Sequence, residues 1–145
     1  DLSKGMVARA EASGVYASVS HMEGAAFLAQ QPAGSVDLVV AVDVLPYVWD
    51  VSHVLRGAGH ALREQGLLVL TTEEPTRELT ETADGQAQEV QLNQFARVCH
   101  SEEGVRRLAA AAGLEVKEVQ LGRIRMQGSR QVLGKAFVLQ KPKAV

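Results

Sequence analysis

Two short apolar segments joined by an amphipathic stretch constrain the fold of this chain more than any other feature. Residues 36–42 are almost continuously apolar and rich in β-branched side chains, which is typical of a strand buried on both faces. Residues 66–72 form a second such segment. Between the two, the apolar positions from Val51 to Leu62 recur every three or four residues, which predicts a helix with one buried stripe that ends at Gly66. Buried strands that alternate with helices predict a parallel sheet covered on both faces.

The rest of the chain extends this pattern and closes it with a hairpin. Capping residues precede two further helices, at Ser3 and Ser101, and a short helix is predicted over 23–30. Strands are predicted over 15–22 and 89–99. Two long alternating segments, 114–126 and 131–140, flank a turn, which predicts a terminal antiparallel hairpin. We therefore expect an α/β fold with a mostly parallel sheet and a terminal antiparallel hairpin.

The composition excludes several classes of protein. The 145 residues suffice for one domain, and an apolar content of 46% with a net charge of −2 argues against disorder. The 15 basic and 17 acidic residues give no positive field for nucleic acid. No apolar run approaches the ~18 residues that a membrane span needs. The lone Cys99 cannot form an internal disulfide, which favours a cytoplasmic location.

Three short motifs follow one another along the chain. Residues 1–6 read Asp-Leu-Ser-Lys-Gly-Met, residues 35–41 contain Asp-Leu-Val, and residues 61–68 contain Leu-Arg followed by Glu64, Gln65 and a glycine. In this order they resemble the class I S-adenosylmethionine-dependent methyltransferases: the first resembles the segment at the end of the family's second strand, the second its fourth strand, and the third a Leu-Arg-Pro-Gly-Gly motif with Glu64 and Gln65 in place of Pro and Gly. The resemblance implies a Rossmann-like sheet whose last strand is antiparallel.

The second half of the chain resembles a narrower group. Residues 97–101 and 108–116 are similar to segments of bacterial methyltransferases that often carry tetratricopeptide repeats, although this sequence has no such repeats. The family's first strand and glycine-rich loop would precede Asp1. We therefore expect residues 1–145 to be a single partial domain that lacks the first βα unit, with 73–99 as an insertion on the substrate side.

Three functions are compatible with these motifs. The first is methyl transfer to an unknown small-molecule acceptor, with this chain as the C-terminal part of the catalytic domain. The second is a non-catalytic, degenerate methyltransferase-like domain that acts as a binding or assembly module with a protein partner. The third is a different α/β domain, such as a fragment of a nucleotide-binding dehydrogenase, against which the terminal hairpin argues.

The resemblance implies S-adenosylmethionine as the cofactor and places five candidate contacts for it near the start of the chain. Asp1 is the candidate acceptor for the ribose hydroxyls, and a cap at a helix N-terminus is its alternative role. Leu2 and Met6 are candidates for packing against adenine, or plain core residues. Glu23 and Gly24 are candidates for binding the adenine amino group, with a surface cap as the alternative for Glu23.

The candidates for the methyl-transfer cavity follow the strand at 36–42, at the sheet edge where ligands bind in open α/β folds. Val42 and Asp43 would line the cavity beside the cofactor, with a turn that begins the loop as the equal alternative for Asp43, and Tyr47 is a candidate catalytic residue. His100 is the candidate acid or base because an imidazole titrates near neutral pH, and a structural role is its alternative. Arg97 is a candidate for holding an anionic group of the substrate, and an exposed arginine on an edge strand is the alternative. No set of histidines has the spacing of metal ligands, so no metal site is expected.

Overall fold

The protein is an α/β sheet structure, and the computed structural model describes residues 1–75, 89–93 and 95–144. In chain order its elements are α1 (Lys4–Ser13), α2 (Gly24–Ala29), β1 (Val36–Ala41), a 3-10 helix (Leu45–Tyr47), α3 (Ser52–Ala61), β2 (Leu62–Glu73), β3 (Val90–Leu92), β4 (Val98–His100), α4 (Glu102–Ala111), β5 (Glu115–Gln127) and β6 (Arg130–Gln140). The expected fold class is confirmed. Much of the expected 73–99 insertion, residues 76–88 and 94, lies outside the described residues.

Strand β2 is the centre of the sheet. Strand β6 pairs antiparallel with it from Leu67 to Glu73, and so occupies one of its two edges. On the other edge β1 pairs parallel with β2 as far as Leu70, and β4 pairs parallel with it at Glu73. Because a strand has only two edges, β4 takes over the edge of β2 beyond the point where β1 ends. The residues that follow β1 therefore face the residues that lead into β4.

The terminal hairpin is confirmed as predicted. Strands β5 and β6 pair antiparallel over almost their whole length, and their turn contains Gly128 at a φ of 59°. Strands β3 and β4 form a second, short antiparallel pair. Parallel pairing within the described residues is confined to β1, β2 and β4, so the expected parallel sheet is smaller than the motif order implied.

Three local predictions were wrong. The strand predicted over 89–99 is instead two short strands, β3 and β4, that pair antiparallel with each other. Residues 15–22 form no strand, because this segment is hydrogen-bonded to no neighbouring strand of the described chain. Helix α3 ends at Ala61 rather than at Gly66, and Gly66 lies within β2 instead. A Cβ at Gly66 would lie 2.8 Å from the Arg63 carbonyl, so the local backbone packing, not a helix end, explains this glycine.

The core lies between the inner face of the sheet and helices α3 and α4. Phe137, Leu68 and Leu70 of the central strands are fully buried, and Leu55 and Val105 project from the helices into the same cluster. The buried stripe of α3 is the one that the apolar spacing predicts. Helix α1 buries none of its residues. Among the described residues no helix is long and apolar enough to cross a membrane.

Candidate functional site

The chain leaves β1 through a strained turn at the carboxyl edge of the sheet. Asp43 has a φ of 55°, a left-handed conformation that is uncommon for a residue other than glycine. Its backbone N–H donates to the Thr71 hydroxyl of β2 at 3.0 Å, which fixes the turn against the sheet. The carboxylate of Asp43 is half exposed at this edge, where the sequence analysis placed the acceptor cavity.

A fully buried carboxylate lies at the same edge of the sheet. Glu73, the last residue of β2, accepts hydrogen bonds from the Arg125 guanidinium of β5 and from the Asn93 amide, the latter at 2.9 Å. The Nε atom of Arg125 lies 3.5 Å from the Asp43 carboxylate. The hydrogen bond with Glu73 is the main reason that the pKa of Arg125 is raised above its ordinary value. These groups compensate the burial of Glu73, which would otherwise be costly.

The Arg97 guanidinium lies over the Tyr47 ring, between the end of β1 and the start of β4. The guanidinium carbon of Arg97 lies 4.1 Å from the centre of the Tyr47 ring, the geometry of a cation–π pair. Tyr47 comes from the 3-10 helix that follows β1, and its side chain is largely exposed. Arg97 comes from the turn that precedes β4. The Nη1 atom of Arg97 is buried and has no hydrogen-bond partner among the described residues.

His100 is buried and holds the 3-10 helix segment to β4. Its Nε2 atom hydrogen-bonds the Val48 carbonyl at 2.8 Å, so a backbone group occupies this ring nitrogen. Burial lowers the pKa of His100, and its hydrogen bonds to the backbone at Val48 and Leu45 raise it by less. The neighbouring Cys99 is also buried, and its pKa is raised to about 11, mainly by burial. Neither residue presents a reactive atom to the open edge in this arrangement.

A groove of about 370 Å³ lies beside α1 and brings three of the candidate cofactor residues together. Asp1, Met6 and Gly24 line it, with Met22 and Phe27 as further apolar contributions. One oxygen of the Asp1 carboxylate accepts from the Ser3 backbone N–H at 2.7 Å, and the other makes no hydrogen bond to a described residue. The groove combines one free carboxylate oxygen with apolar side chains.

The remaining candidates lie apart from this groove. Leu2 is exposed, and its carbonyl hydrogen-bonds the His21 ring. Glu23 lines a neighbouring groove between α2 and α3, and its carboxylate accepts from the Ala26 N–H at 2.8 Å as the cap of α2. Hydrogen bonds from the backbone of Ala25 and then Ala26 lower the pKa of Glu23. Val42 and Asp43 lie beyond the end of β1, with Val42 exposed.

The sequence analysis missed the residues that build the carboxyl edge. Glu73, Asn93 and Arg125 were not singled out, although Glu73 ends an apolar strand with a charge. This charge at the end of an apolar strand is the local sequence signal that could have singled it out. Nothing in the sequence joins it to Arg125, which is distant along the chain and reaches Glu73 only through the registers of β2, β5 and β6. Among the described residues no cluster could hold a metal ion.

Comparison with known proteins identifies the fold of this chain. Residues 1–70, from α1 into β2, match the family model of a methyltransferase domain. A solved S-adenosylmethionine-dependent methyltransferase from Methanosarcina mazei superposes with a TM-score of 0.68 at 15% identity, covering 98% of this chain and 80% of its own. The chain has the class I methyltransferase fold. No curated protein sequence matches it.

Two further solved structures share this methyltransferase fold. An S-adenosylmethionine-dependent methyltransferase from Mesorhizobium loti superposes with a TM-score of 0.66 at 20% identity, over 97% of this chain and 78% of that one. The 1,6-didemethyltoxoflavin-N1-methyltransferase of Burkholderia thailandensis, with 1,6-didemethyltoxoflavin and S-adenosylhomocysteine bound, has a TM-score of 0.66 at 13% identity, over 99% and 60% of the two chains. The groove beside α1 lies in the part that the family model matches, and Arg97 and Arg125 lie outside it.

Proposed function

We propose that this chain is the C-terminal part of the catalytic domain of an S-adenosylmethionine-dependent methyltransferase that acts on a small molecule. The observation that carries the proposal is the groove lined by Asp1, Met6 and Gly24, which lies within the residues that match the methyltransferase-domain model. The Burkholderia thailandensis enzyme supports the class of acceptor, because it holds a small molecule together with S-adenosylhomocysteine on the same fold.

The chemistry of the groove fits the nucleoside part of the cofactor. A free oxygen of the Asp1 carboxylate can accept hydrogen bonds from ribose hydroxyls. The side chains of Met6, Met22 and Phe27 supply apolar contacts for the faces of a planar base. Gly24 leaves open space above its backbone, since a Cβ there would meet nothing within 4 Å. We keep Leu2 and Glu23 as candidate cofactor contacts outside this groove, because each adjoins in sequence a residue that lines it.

The residues at the carboxyl edge would bind and orient the methyl acceptor. S-adenosylmethionine supplies a methyl group on a sulfonium, which transfers by in-line displacement, so the protein mainly orients the acceptor and excludes water. Val42, Asp43 and Tyr47 follow β1 and are the residues we assign to this cavity. We assign His100 to positioning: through the Val48 carbonyl it holds the segment that carries Tyr47.

The test is calorimetric titration of S-adenosylhomocysteine into the protein and two variants. Asp1→Asn removes the charge that would bind the ribose, and we expect about tenfold weaker binding, as for a lost hydrogen bond to a charged group. Glu11→Gln is the matched control, because Glu11 is an exposed acid of α1 that does not line the groove. Equal affinities for both variants would contradict the assignment of Asp1.

Absence of any binding at millimolar ligand would overturn the methyltransferase proposal and favour the non-catalytic module. We also propose that residues 1–145 form one partial domain and that the protein is cytoplasmic. The latter is supported by the single cysteine, which is buried as a free thiol.

A further inference from the structure

We propose that Arg97, stacked on Tyr47, forms a subsite for a carboxylate group, and that the methyl acceptor carries this carboxylate. The subsite itself stands on the geometry at the carboxyl edge, and only its assignment to the methyl acceptor rests on the proposed function. A carboxylate is one ligand class that the planar guanidinium edge matches with two parallel hydrogen bonds.

The contact with Tyr47 leaves part of the Arg97 guanidinium as the binding surface. The guanidinium carbon of Arg97 lies over the Tyr47 ring, 4.1 Å from its centre, and the five N–H donors of a guanidinium cannot all point at one ring. Tyr47 is 65% exposed, so the pair lies at the protein surface, where a ligand can reach it. The Nη1 atom has no acceptor among the described residues although it is buried. A buried donor without an acceptor is rare in proteins and is often explained by function.

The backbone of the turn that carries Arg97 is held in place before any ligand binds. The Asn93 side chain accepts from the backbone N–H of Phe95 at 2.9 Å and from that of Arg97 at 3.1 Å. Its amide nitrogen in turn donates to the buried Glu73 at 2.9 Å. The turn that carries Arg97 is thus fixed to the end of β2. A group held in its binding geometry pays less conformational entropy on binding.

The charges at the edge favour a monoanion. Arg125 is compensated by two carboxylates, those of Glu73 and Asp43. Arg97 forms no ion pair with a described residue, which leaves one positive charge for a ligand. A carboxylate balances that single charge. A dianionic phosphate would bring a second negative charge to an edge that already holds Asp43 and Glu73, so we expect it to bind more weakly.

The position of the pair suits an acceptor contact. Tyr47 lies four residues beyond Asp43, and Arg97 precedes the strand that continues the edge of β2 where β1 stops. Both residues therefore lie beyond the carboxyl end of β1, Tyr47 in the segment that leaves β1 and Arg97 just before the amino end of the parallel β4. Ligands of open α/β sheets bind beyond the carboxyl ends of the strands.

The experiment titrates cyclohexanecarboxylate into the protein and follows the fluorescence of the single tryptophan, Trp49, which lies two residues from Tyr47. Arg97→Gln should weaken binding about tenfold or more. Arg63→Gln is the matched control: Arg63 pairs with Asp37 near the opposite ends of β1 and β2, and this variant should bind as the parent does. Cyclohexanecarboxamide, which is neutral, and inorganic phosphate should bind more weakly than the carboxylate.

Each outcome decides the question. No carboxylate binding by the parent, equal binding by Arg97→Gln, or equal binding of the carboxamide overturns the subsite. If Arg97→Gln does not fold, as judged by circular dichroism, Tyr47→Leu replaces it. Tyr47→Leu should weaken binding, whereas Tyr47→Phe, which keeps the ring, should not, and equal affinities for these two variants overturn the subsite.

Binding of S-adenosylhomocysteine, measured in parallel by calorimetry, separates this inference from the proposed function. Carboxylate binding without S-adenosylhomocysteine binding supports the subsite and overturns its assignment to a methyl acceptor. S-adenosylhomocysteine binding without carboxylate binding overturns the subsite and leaves the proposed function standing.

Discussion

At the scale of single residues, the carboxyl edge is organised around buried groups that hold exposed ones. Glu73 is buried and fixes Asn93, which fixes the turn of Arg97. His100 is buried and fixes the segment that ends in Tyr47 and Val48. The exposed Tyr47 and the partly exposed Arg97, which can meet a ligand, are thus supported by the buried His100 and Glu73. This division is the one expected of a binding site with a preorganised geometry.

The buried imidazole of His100 makes a pH-dependent contribution to stability. Burial lowers the pKa of His100 below its ordinary value of 6.5, so below that pH the unfolded chain binds a proton that the folded protein resists. The free energy of unfolding should therefore fall as the pH decreases through 6.5, until the folded protein is also protonated. His100→Asn should flatten this part of the pH profile, as measured by urea unfolding.

The control for His100 is His21→Gln, because His21 is exposed. This variant should keep the pH profile of the parent. If His100→Asn retains the parent's slope below neutral pH while His21→Gln loses it, the buried imidazole is not the origin of the pH dependence.

At the scale of elements, helix α3 is held by close approaches that only glycine permits. A Cβ at Gly59 would lie 2.3 Å from the Ala112 carbonyl oxygen, at the end of α4. A Cβ at a second glycine, Gly57, would lie 2.9 Å from the Cβ of Leu28 in α2. Helix α3 therefore packs its backbone against both neighbouring helices. Its two glycines weaken the isolated helix but allow this packing.

Replacing Gly59 with Ala should destabilise the protein although alanine is the better helix former. Overpacking against the Ala112 carbonyl should cost about 1–3 kcal/mol, more than the roughly 1 kcal/mol that alanine gains in helix propensity. The measurement is the free energy of unfolding in urea.

Gly5→Ala in α1 is the matched control for Gly59. The nearest atom to a Cβ there is 3.9 Å away, so the variant should be neutral or more stable. A Gly59→Ala protein as stable as Gly5→Ala would show that α3 and α4 can separate without cost.

The elements also show what a single sequence can predict. The stripe of α3, the strand β1 and the terminal hairpin follow from patterns within a few residues, and all three were predicted. The segment 15–22 has a strand-like pattern, but a strand also needs a hydrogen-bonded neighbour, which a local pattern does not supply. The role of Gly59 is not predictable from the sequence, because its contact, Ala112, is distant in the chain.

Some residues of the candidate site could likewise be predicted from the sequence, and others could not. The position of Asp43 after a buried strand and the groove residues Asp1 and Met6 were predicted from motifs. The contact of Arg125 with Glu73 was not, because it depends on the registers of three strands. Charges that compensate each other across a sheet leave no local pattern in the sequence.

At the scale of the whole molecule, one side of the described structure is unusually apolar. Alternate residues of β1 and its continuation, Leu38, Val40 and Val42, are each at least half exposed. Among the described residues β1 is hydrogen-bonded only to β2. Single exposed apolar residues are common on protein surfaces, but a row of three on one strand forms a continuous patch.

This patch should dominate the binding of an apolar dye. We expect the fluorescence of anilinonaphthalene sulfonate to increase with the parent protein, and the double variant Leu38→Thr with Val40→Thr to lose most of that increase. The reason is that threonine has the β-branched shape that a strand favours but less apolar area than leucine or valine. Circular dichroism checks that the variant remains folded.

The control removes two aliphatic side chains from the other end of the sheet. Leu121 and Leu133 of the terminal hairpin are 65% and 50% exposed, close to the values of 52% and 60% for Leu38 and Val40. The double variant Leu121→Thr with Leu133→Thr should therefore retain most of the dye signal if the signal comes from the β1 face. An equal loss in both double variants would mean that the dye responds to total exposed apolar area, and that the face of β1 is not a distinct surface.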